Sequence, residues 1–186
     1  MPSTPSVTDI DASSIHAFDF ARALRTFRSR RSIDARSVAS ARRDSSSCFT
    51  SADAAGLPIF PGLVRYEEVA DGVIDHAVRV TFESTRNAWI NPASHCAGDT
   101  DSPAAPSMGM RFRLKSSYDT SGLTGQAAII ATALKQYGMI NADNGSNWFI
   151  SGTANKRWSN GNLNQLKEIP GSAFEVVQSE APVEMC

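Results

Sequence analysis

Strict alternation of apolar and polar side chains in two short runs is the feature that most constrains the fold. The run MRFRLKS at 110–116 directs Met110, Phe112 and Leu114 to one face and its basic residues to the other. Successive side chains of a β-strand point to opposite faces, so this pattern predicts a half-buried strand. The run VIDHAVRVTF at 73–82 alternates in the same way. Its predicted inward residues are His76, Val78, Val80 and Phe82, and its predicted outward residues are Asp75, Ala77, Arg79 and Thr81.

One substantial helix is predicted after these strands. Thr124 can cap its start, and Gly138 suits the left-handed residue that often follows a helix end. Apolar residues between them recur on one stripe at helical spacing: Ala127, Ile130, Leu134 and Tyr137. Shorter elements are predicted elsewhere: a strand at 63–66, a short helix at 160–168 and a final strand at 174–177.

The stretch YGMINADNGSNWFISG at 137–152 is typical of a β-hairpin with a polar tip. Asn144 and Gly145 favour a two-residue turn, because both tolerate positive φ. Short strands separated by turns, without an alternating strand–helix rhythm, favour an antiparallel sheet. The sequence therefore predicts an α+β fold, with a mostly antiparallel sheet or sandwich and one packed helix.

Residues 1–49 differ in composition from the rest of the chain. They are built mainly from Arg, Ser and Ala, and they carry eight Arg against five Asp. Few apolar residues and no clear period indicate a flexible, disordered segment in front of a β-rich domain at 50–186. A basic arm for nucleic acid is the alternative, but no recognised nucleic-acid fold follows it. We therefore expect no nucleic-acid partner.

The cysteines and the N-terminus bear on location. An odd count without CxxC spacing argues against a disulfide framework, so Cys48, Cys96 and Cys186 are expected to be free thiols, with a Cys48–Cys96 bridge as the alternative. No signal peptide or membrane span is visible, so the chain as written is expected to be cytoplasmic and to have no membrane partner. The sequence leaves the oligomeric state open.

The usual hydrolase motifs are absent, so single residues must carry any chemistry. His95 lies in a long loop and could act as a general base, with Asp143 or Asp75 as its acid/base partner. His76 is a further candidate, although a buried, hydrogen-bonded histidine is the simpler interpretation. Asp75 cannot orient His76 within one strand, because adjacent residues face opposite ways.

Three groups of residues could bind ligands. Asp99 and Asp101 could supply oxygen ligands to Ca²⁺, although the longer calcium-loop pattern is missing. Three outward arginines could bind a carboxylate or an acidic sugar if their strands pair: Arg79, Arg111 and Arg113. Three tryptophans could stack on sugar rings, or could simply pack in the core: Trp89, Trp148 and Trp158.

Several blocks together resemble an uncharacterised family of secreted bacterial β-sandwich-type proteins. The blocks are TSADAAGLPIFPGLVRY, DHAVRVTF, MGMRFRLK and YGMINADNGSNWFISG. The resemblance covers residues 50 to about 178 and implies secreted relatives, some of them similar to carbohydrate-active proteins. It also implies further strand-rich sequence upstream, where this chain has its Arg/Ser/Ala segment instead, so an upstream half is expected to be missing.

The residues favour a hydrolase that activates water on a small ester or lactone, or on a glycosidic bond, with Ca²⁺ assistance as an option. Its substrate would be a small molecule or an oligosaccharide. One alternative is a non-catalytic carbohydrate-binding module that uses the Trp and Arg residues. Another is a truncated structural remnant without activity.

Overall fold

The structure, a computed structural model, describes residues 53–177 and Pro182. Expectations for residues 1–49 lie outside the described residues. The longer elements are α1 (Ile59–Gly62), α2 (Tyr66–Asp71), β1 (Val78–Phe82), β2 (Arg111–Leu114), α3 (Gly125–Gln136), β3 (Met139–Asn144), β4 (Phe149–Ile150), α4 (Asn160–Leu163) and β5 (Phe174–Val176). Two 3₁₀ segments, Asn164–Glu168 and Gly171–Ala173, follow α4.

The five strands form one mixed sheet in the order β4-β1-β3-β2-β5. β1 and β3 run parallel, and the other three neighbouring pairs are antiparallel. The predicted α+β fold with a mostly antiparallel sheet is therefore confirmed. The sequence predicted either a sheet or a sandwich, and the described residues form a single sheet.

One face of the sheet packs against α3 and is called here the helix face. Alternation in β2 is as predicted: Phe112 and Leu114 are buried, while Arg111 and Arg113 are exposed. α3 begins after Thr124, ends before Gly138 with its φ of 74°, and buries Ile130 on the predicted stripe. Burial of these large apolar side chains is the main source of the stability of the fold.

The region before β1 differs from its prediction. The predicted strand at 63–66 is reduced to one isolated bridge between Val64 and Gly152, and Tyr66 begins α2. The Glu68 carboxylate accepts from the Arg65 backbone N–H, which satisfies a donor at the helix start and favours the helix over an extended chain. The predicted strand at 73–82 is likewise shorter, since only Val78–Phe82 is extended.

The hairpin prediction for residues 137–152 is wrong. β3 and β4 do not pair, because β1 lies between them and bonds to both. The connection instead crosses the end of β1: Gly145 N–H donates to the Phe82 carbonyl, and the Thr81 hydroxyl donates to the Ser146 carbonyl. The left-handed residue of this crossing is Trp148, with φ of 57°, rather than Asn144 or Gly145.

A register shift in β3 decides which face its last residues occupy. Val80 is paired with Asn141, but Thr81 is paired with Asp143, so Ala142 is an extra residue. Without this bulge Asp143 would face the helix side of the sheet, since a one-residue slip exchanges the two faces. The bulge places Asp143 on the same face as Thr81 and Arg79.

That second face is called here the polar face. It is partly covered by the turn 53–57, where Ala55 N–H donates to the Ala142 carbonyl. A small apolar cluster lies beside this turn and contains Ala55, Ala93 and Met108, with Leu57, Trp89 and Cys96 packed against it.

The expectation of three free thiols is wrong, because Cys96 is disulfide-bonded; Cys48 and Cys186 lie outside the described residues. Within the part of the chain that the structure describes, no helix combines the length and apolar character needed to cross a membrane.

Candidate functional site

Four side chains from separate segments meet on the polar face, and they are called here the Arg79 cluster: Asp53, Arg79, Asp143 and Ser151. The Arg79 Nη2 atom lies 3.5 Å from Asp53 Oδ2 and 3.6 Å from Asp143 Oδ2. Arg79 Nη1 donates to Ser151 Oγ over 3.0 Å. One guanidinium group therefore links two carboxyl groups that lie ninety residues apart in the sequence.

The turn 53–57 places Asp53 in the cluster. Asp53 Oδ1 accepts from Leu57 N–H over 2.9 Å, and Asp53 N–H donates to the Leu57 carbonyl over 3.2 Å. The turn is fixed to β3 through the bond between Ala55 and Ala142. The carboxyl of Asp53 is thus held by its own turn, and its second oxygen is left to face Arg79.

The two carboxyl groups differ in exposure. Only 1% of the Asp53 side chain is exposed, against 38% for Asp143. Burial raises the pKa of Asp53 above its ordinary value, and the nearby Asp143 charge raises it further. The Leu57 N–H and the Arg79 guanidinium act in the opposite direction, but their effect on the pKa is smaller in sum. Asp143 is the member of the pair that a water molecule or a substrate can reach.

Arg79 is itself largely withdrawn from water, with 13% of its side chain exposed. Its Nε atom is buried and has no hydrogen-bond partner. Burying a guanidinium group with an unused donor costs free energy, and such arrangements concentrate at functional sites. The cluster is therefore the strongest candidate site among the described residues.

His95 contacts the same turn at Gly56. A Cβ atom built on Gly56 would fall 2.6 Å from His95 Cδ2, so the imidazole ring packs directly on this glycine. Gly56 has φ of 74° and no side chain, and both properties are required for this close approach. His95 is exposed, and its backbone N–H donates to the Ala55 carbonyl. His95 therefore contacts this turn at Gly56, and Asp143 is linked to the same turn through Arg79 and Asp53.

Asp75 and His76 lie elsewhere, in the segment that precedes β1, whereas Asp143 is paired near the last residues of that strand. Asp75 is exposed. His76 is half-buried, and its Nε2 atom lies 3.1 Å from Glu68 Oε1 while Nδ1 lies 2.9 Å from the Ala77 carbonyl. His76 therefore connects α2 to the start of β1, and the structure does not bring either residue to the Arg79 cluster.

Asp99 and Asp101 bind neighbouring loop residues. Asp99 Oδ1 accepts from Ser84 Oγ and from Thr85 N–H, both over 2.9 Å, and these bonds lower the pKa of Asp99. Asp101 Oδ1 accepts from Asn87 Nδ2. Among residues 53–177 and Pro182, no group of three or more His, Cys, Asp or Glu side chains could hold a metal ion.

The three predicted arginines do share the polar face, but their environments differ. Arg79 and Arg111 are both in register with Ile140 of β3, so they lie in one row across the sheet. Arg113 binds Glu175 through Nη2 at 2.6 Å and Nε at 3.1 Å. Of the three arginines, only Arg79 interacts with Asp53, Asp143 and Ser151.

The predicted tryptophan platforms are mostly core residues. Trp148 is buried among Phe82, Phe112 and Phe174, with ring centroids 4.8 to 5.7 Å from its own. Trp158 is also buried, and its indole N–H donates to the Thr153 carbonyl. Trp89 is half-buried beside the small cluster of Ala55, Ala93 and Met108. Two of the three rings therefore have no free face for a sugar.

Sequence reasoning missed Asp53 and Ser151. Asp53 stands in the block TSADAAGLPIF, where the pattern of Gly and Pro indicated only a structured loop. The Asp53–Leu57 turn follows a common rule, in which an Asp side chain bonds to a nearby backbone N–H. That rule predicts the local turn, but no local signal indicates that its free oxygen meets Arg79.

Comparison with known proteins gives no assignment: no family model, no curated protein and no solved structure matches the chain. The family resemblance noted in the sequence therefore stays a prediction.

Proposed function

We propose that this protein is a hydrolase that activates water with the Asp143 carboxylate. The bond cleaved would be a glycosidic bond or a small ester such as a lactone. The observation that carries the proposal is the Arg79 cluster, in which a partly exposed carboxylate is held by a largely buried guanidinium group against a second, buried carboxyl.

Three members of the cluster, Asp143, Arg79 and Asp53, have distinct parts in this mechanism, and His95 acts with them. Asp143 accepts a proton from water as the water oxygen bonds to the electrophilic carbon. The bond from that carbon to the leaving oxygen breaks, and His95 gives the leaving oxygen a proton. Arg79 fixes the position of the Asp143 carboxylate, and Asp53 balances the charge of Arg79 from the buried side. Protons then exchange with solvent to restore Asp143 and His95.

The fold favours this function over a non-catalytic sugar-binding module. The module considered for this sequence would stack sugars on its Trp residues, whereas Trp148 and Trp158 are buried. Hydrolysis requires less: one base, one proton donor and a fixed geometry.

The disulfide at Cys96 also bears on location. Disulfides persist mainly in oxidising compartments. We therefore favour the secreted location that the family resemblance implies over the cytoplasmic one.

The test is hydrolysis of a panel of 4-nitrophenyl glycosides, short-chain 4-nitrophenyl esters and acyl lactones by the full chain. Asp143→Asn is expected to lower kcat/KM by roughly 10²- to 10⁴-fold, the usual contribution of a general base, with little change in Tm. His95→Ala should have a similar effect, and the double variant should lose little more than either single variant. Asp119→Asn is the matched control, because Asp119 is an exposed carboxylate in the loop before α3, where its Oδ1 accepts from the Ser121 N–H.

Two outcomes would overturn the proposal. One is a folded Asp143→Asn variant with wild-type turnover. The other is no turnover of any compound in the panel by the wild-type chain, which would leave a binding module or a structural remnant.

A further inference from the structure

Arg111 and Arg79 are related by the register of the sheet. Both are in register with Ile140, on β2 and β1 respectively, so the three residues form one row on the polar face. Neighbouring strands are about 5 Å apart, which places the Arg111 backbone roughly 10 Å from that of Arg79. Ile140 lies between them and is half-buried. The row therefore has an apolar centre with a cationic side chain at each end.

The two arginines at the ends of the row differ in their partners. Arg79 already interacts with Asp53, Asp143 and Ser151. Arg111 is exposed, and within the described part of the chain it takes part in no ion pair. Arg113 is two residues away on the same strand and face, but Glu175 neutralises it. Arg111 is thus an available guanidinium group near the Arg79 cluster.

Resting on the proposed function, we propose that the substrate is an acidic saccharide whose carboxylate is bound by Arg111. Asp143 is on β3, the strand next to Arg111, and is three residues beyond the row that contains Arg111 and Ile140. An arginine side chain and one sugar ring together span this separation. The apolar face of the ring would then lie on Ile140, and the bond to be cleaved would reach Asp143.

A carboxylate suits this position better than a phosphate. The planar guanidinium group forms two parallel hydrogen bonds to a carboxylate. Asp143 stands nearby with an exposed carboxylate, and its repulsion grows with the charge of the ligand. A singly charged group can therefore be bound by Arg111 at a lower electrostatic cost than a doubly charged phosphate.

The experiment measures binding separately from turnover. Trisaccharides of glucuronate, galacturonate and mannuronate are titrated by calorimetry into the Asp143→Asn chain, each beside its methyl ester. The ester keeps the sugar and removes the charge. At least one acid is expected to bind roughly 10- to 100-fold more tightly than its ester, as for hydrogen bonds between charged groups. Adding Arg111→Gln should remove that preference.

Arg113→Gln is the matched control, because Arg113 has the same chemistry and faces the same way, but it is paired and lies two residues farther from Asp143. It should leave the preference for the acid unchanged. If Arg111→Gln and Arg113→Gln reduce the preference for the acid equally, the acid is attracted to a basic surface in general. That result would overturn the assignment to Arg111.

Turnover by the wild-type chain separates this inference from the function on which it rests. Equal hydrolysis of acid and ester, with no effect of Arg111→Gln, would overturn the acidic substrate and leave the hydrolase standing. Binding of the acid through Arg111 without any hydrolysis would overturn the hydrolase and leave a site for acidic saccharides. No binding of any acid would overturn the inference outright.

Discussion

The two faces of the sheet are built on different principles. The helix face is apolar and continuous, and its largest fully buried side chains include Phe112, Leu114 and Ile130. The polar face is an assembly of short segments around Arg79, with its own small apolar cluster under the turn 53–57. The main core against the helix face is drawn from the strands and α3, with residues such as Val69 of α2, Leu163 of α4 and Trp148 of the crossing packed among them. Those of the Arg79 cluster come from a turn, a strand, a bulge and a strand end.

This difference separates stability from chemistry. Apolar burial depends on the summed area and needs no particular partner for each side chain. The Arg79 cluster depends on a few directional contacts, and moving one residue breaks several of them. Substitutions on the helix face should therefore act on folding, and those on the polar face mainly on activity and on pH dependence.

The largest expected effect on stability is on the helix face. Phe112→Ala removes a ring that is 98% buried and contacts Phe82 and Trp148. The free energy of unfolding should fall by about 3–5 kcal/mol, the usual cost of such a cavity, as measured by denaturant titration. On the polar face, Ser151→Ala removes one hydrogen bond and should cost about 1 kcal/mol. Equal costs for the two variants would break the comparison.

An intermediate effect is expected at the crossing between β3 and β4. A Cβ atom on Gly145 would lie 2.8 Å from Thr81 Oγ1 and 3.1 Å from Thr81 Cβ. Gly145→Ala should therefore lower the free energy of unfolding by about 1–3 kcal/mol, because β1 and the crossing must separate. Gly161→Ala is its control: nothing lies within 4 Å of a Cβ there, and the position is helical. That variant should be neutral or slightly stabilising, and a loss as large as that of Gly145→Ala would contradict the account of the crossing.

The smallest expected effect is on how the free energy of unfolding depends on pH. The effect has opposite signs for Asp53 and Asp99. The pKa of Asp53 is raised above its ordinary value of 3.8, so the folded state holds this proton more tightly than the unfolded state. Its contribution to stability is present below pH 3.8 and is lost as the pH rises through the raised pKa. The free energy of unfolding of the wild type, relative to Asp53→Asn, should therefore fall as the pH rises above 3.8 and through the raised pKa.

Asp99 should behave in the opposite way. Its pKa is lowered from 3.8 by Ser84 and by the Thr85 N–H. The contribution of Asp99 to stability, measured against Asp99→Asn, should be fully present above pH 3.8. It should be lost as the pH falls through the lowered pKa. Denaturant titrations across the pH range measure how the free energy of unfolding of the wild type, relative to each Asn variant, changes with pH. Changes of the same sign for Asp53 and Asp99 would contradict the environments described for the two side chains.

Local patterns predicted the helix face well. The alternation in Arg111–Leu114 and the left-handed Gly138 after α3 act within a few residues, so a single sequence suffices to predict them. The predicted Thr124 cap is wrong, because its side chain makes no capping bond and the distant Asn162 side chain accepts from Ala127 N–H instead. The failure of the hairpin prediction has a cause outside the segment itself. The Asn144-Gly145 pair has the composition of a hairpin turn, yet the strands on either side of it both pair with β1. Competition between distant partners decided the pairing, and no local pattern encodes that competition.

The candidate site was predicted in part for the same reason. Asp143, Arg79 and His95 were identified by residue type and by position in strands or loops. Asp53 was not, because its role depends on a contact across the sheet and on the bulge at Ala142. A one-residue register shift leaves no mark in the composition of MINADN, although it decides which face Asp143 occupies.

The position of β1 between two later strands has a consequence for synthesis of the chain. Its first partner, Met139, follows Val78 by about 60 residues, and β4 comes later still. At typical rates of roughly 5–20 residues per second, the ribosome needs several seconds to make these partners. During that interval both edges of β1 lack their native neighbours, and such edges can pair with other nascent chains. Slower translation between residues 83 and 138 should therefore lower the yield of soluble protein more than an equal delay after residue 150.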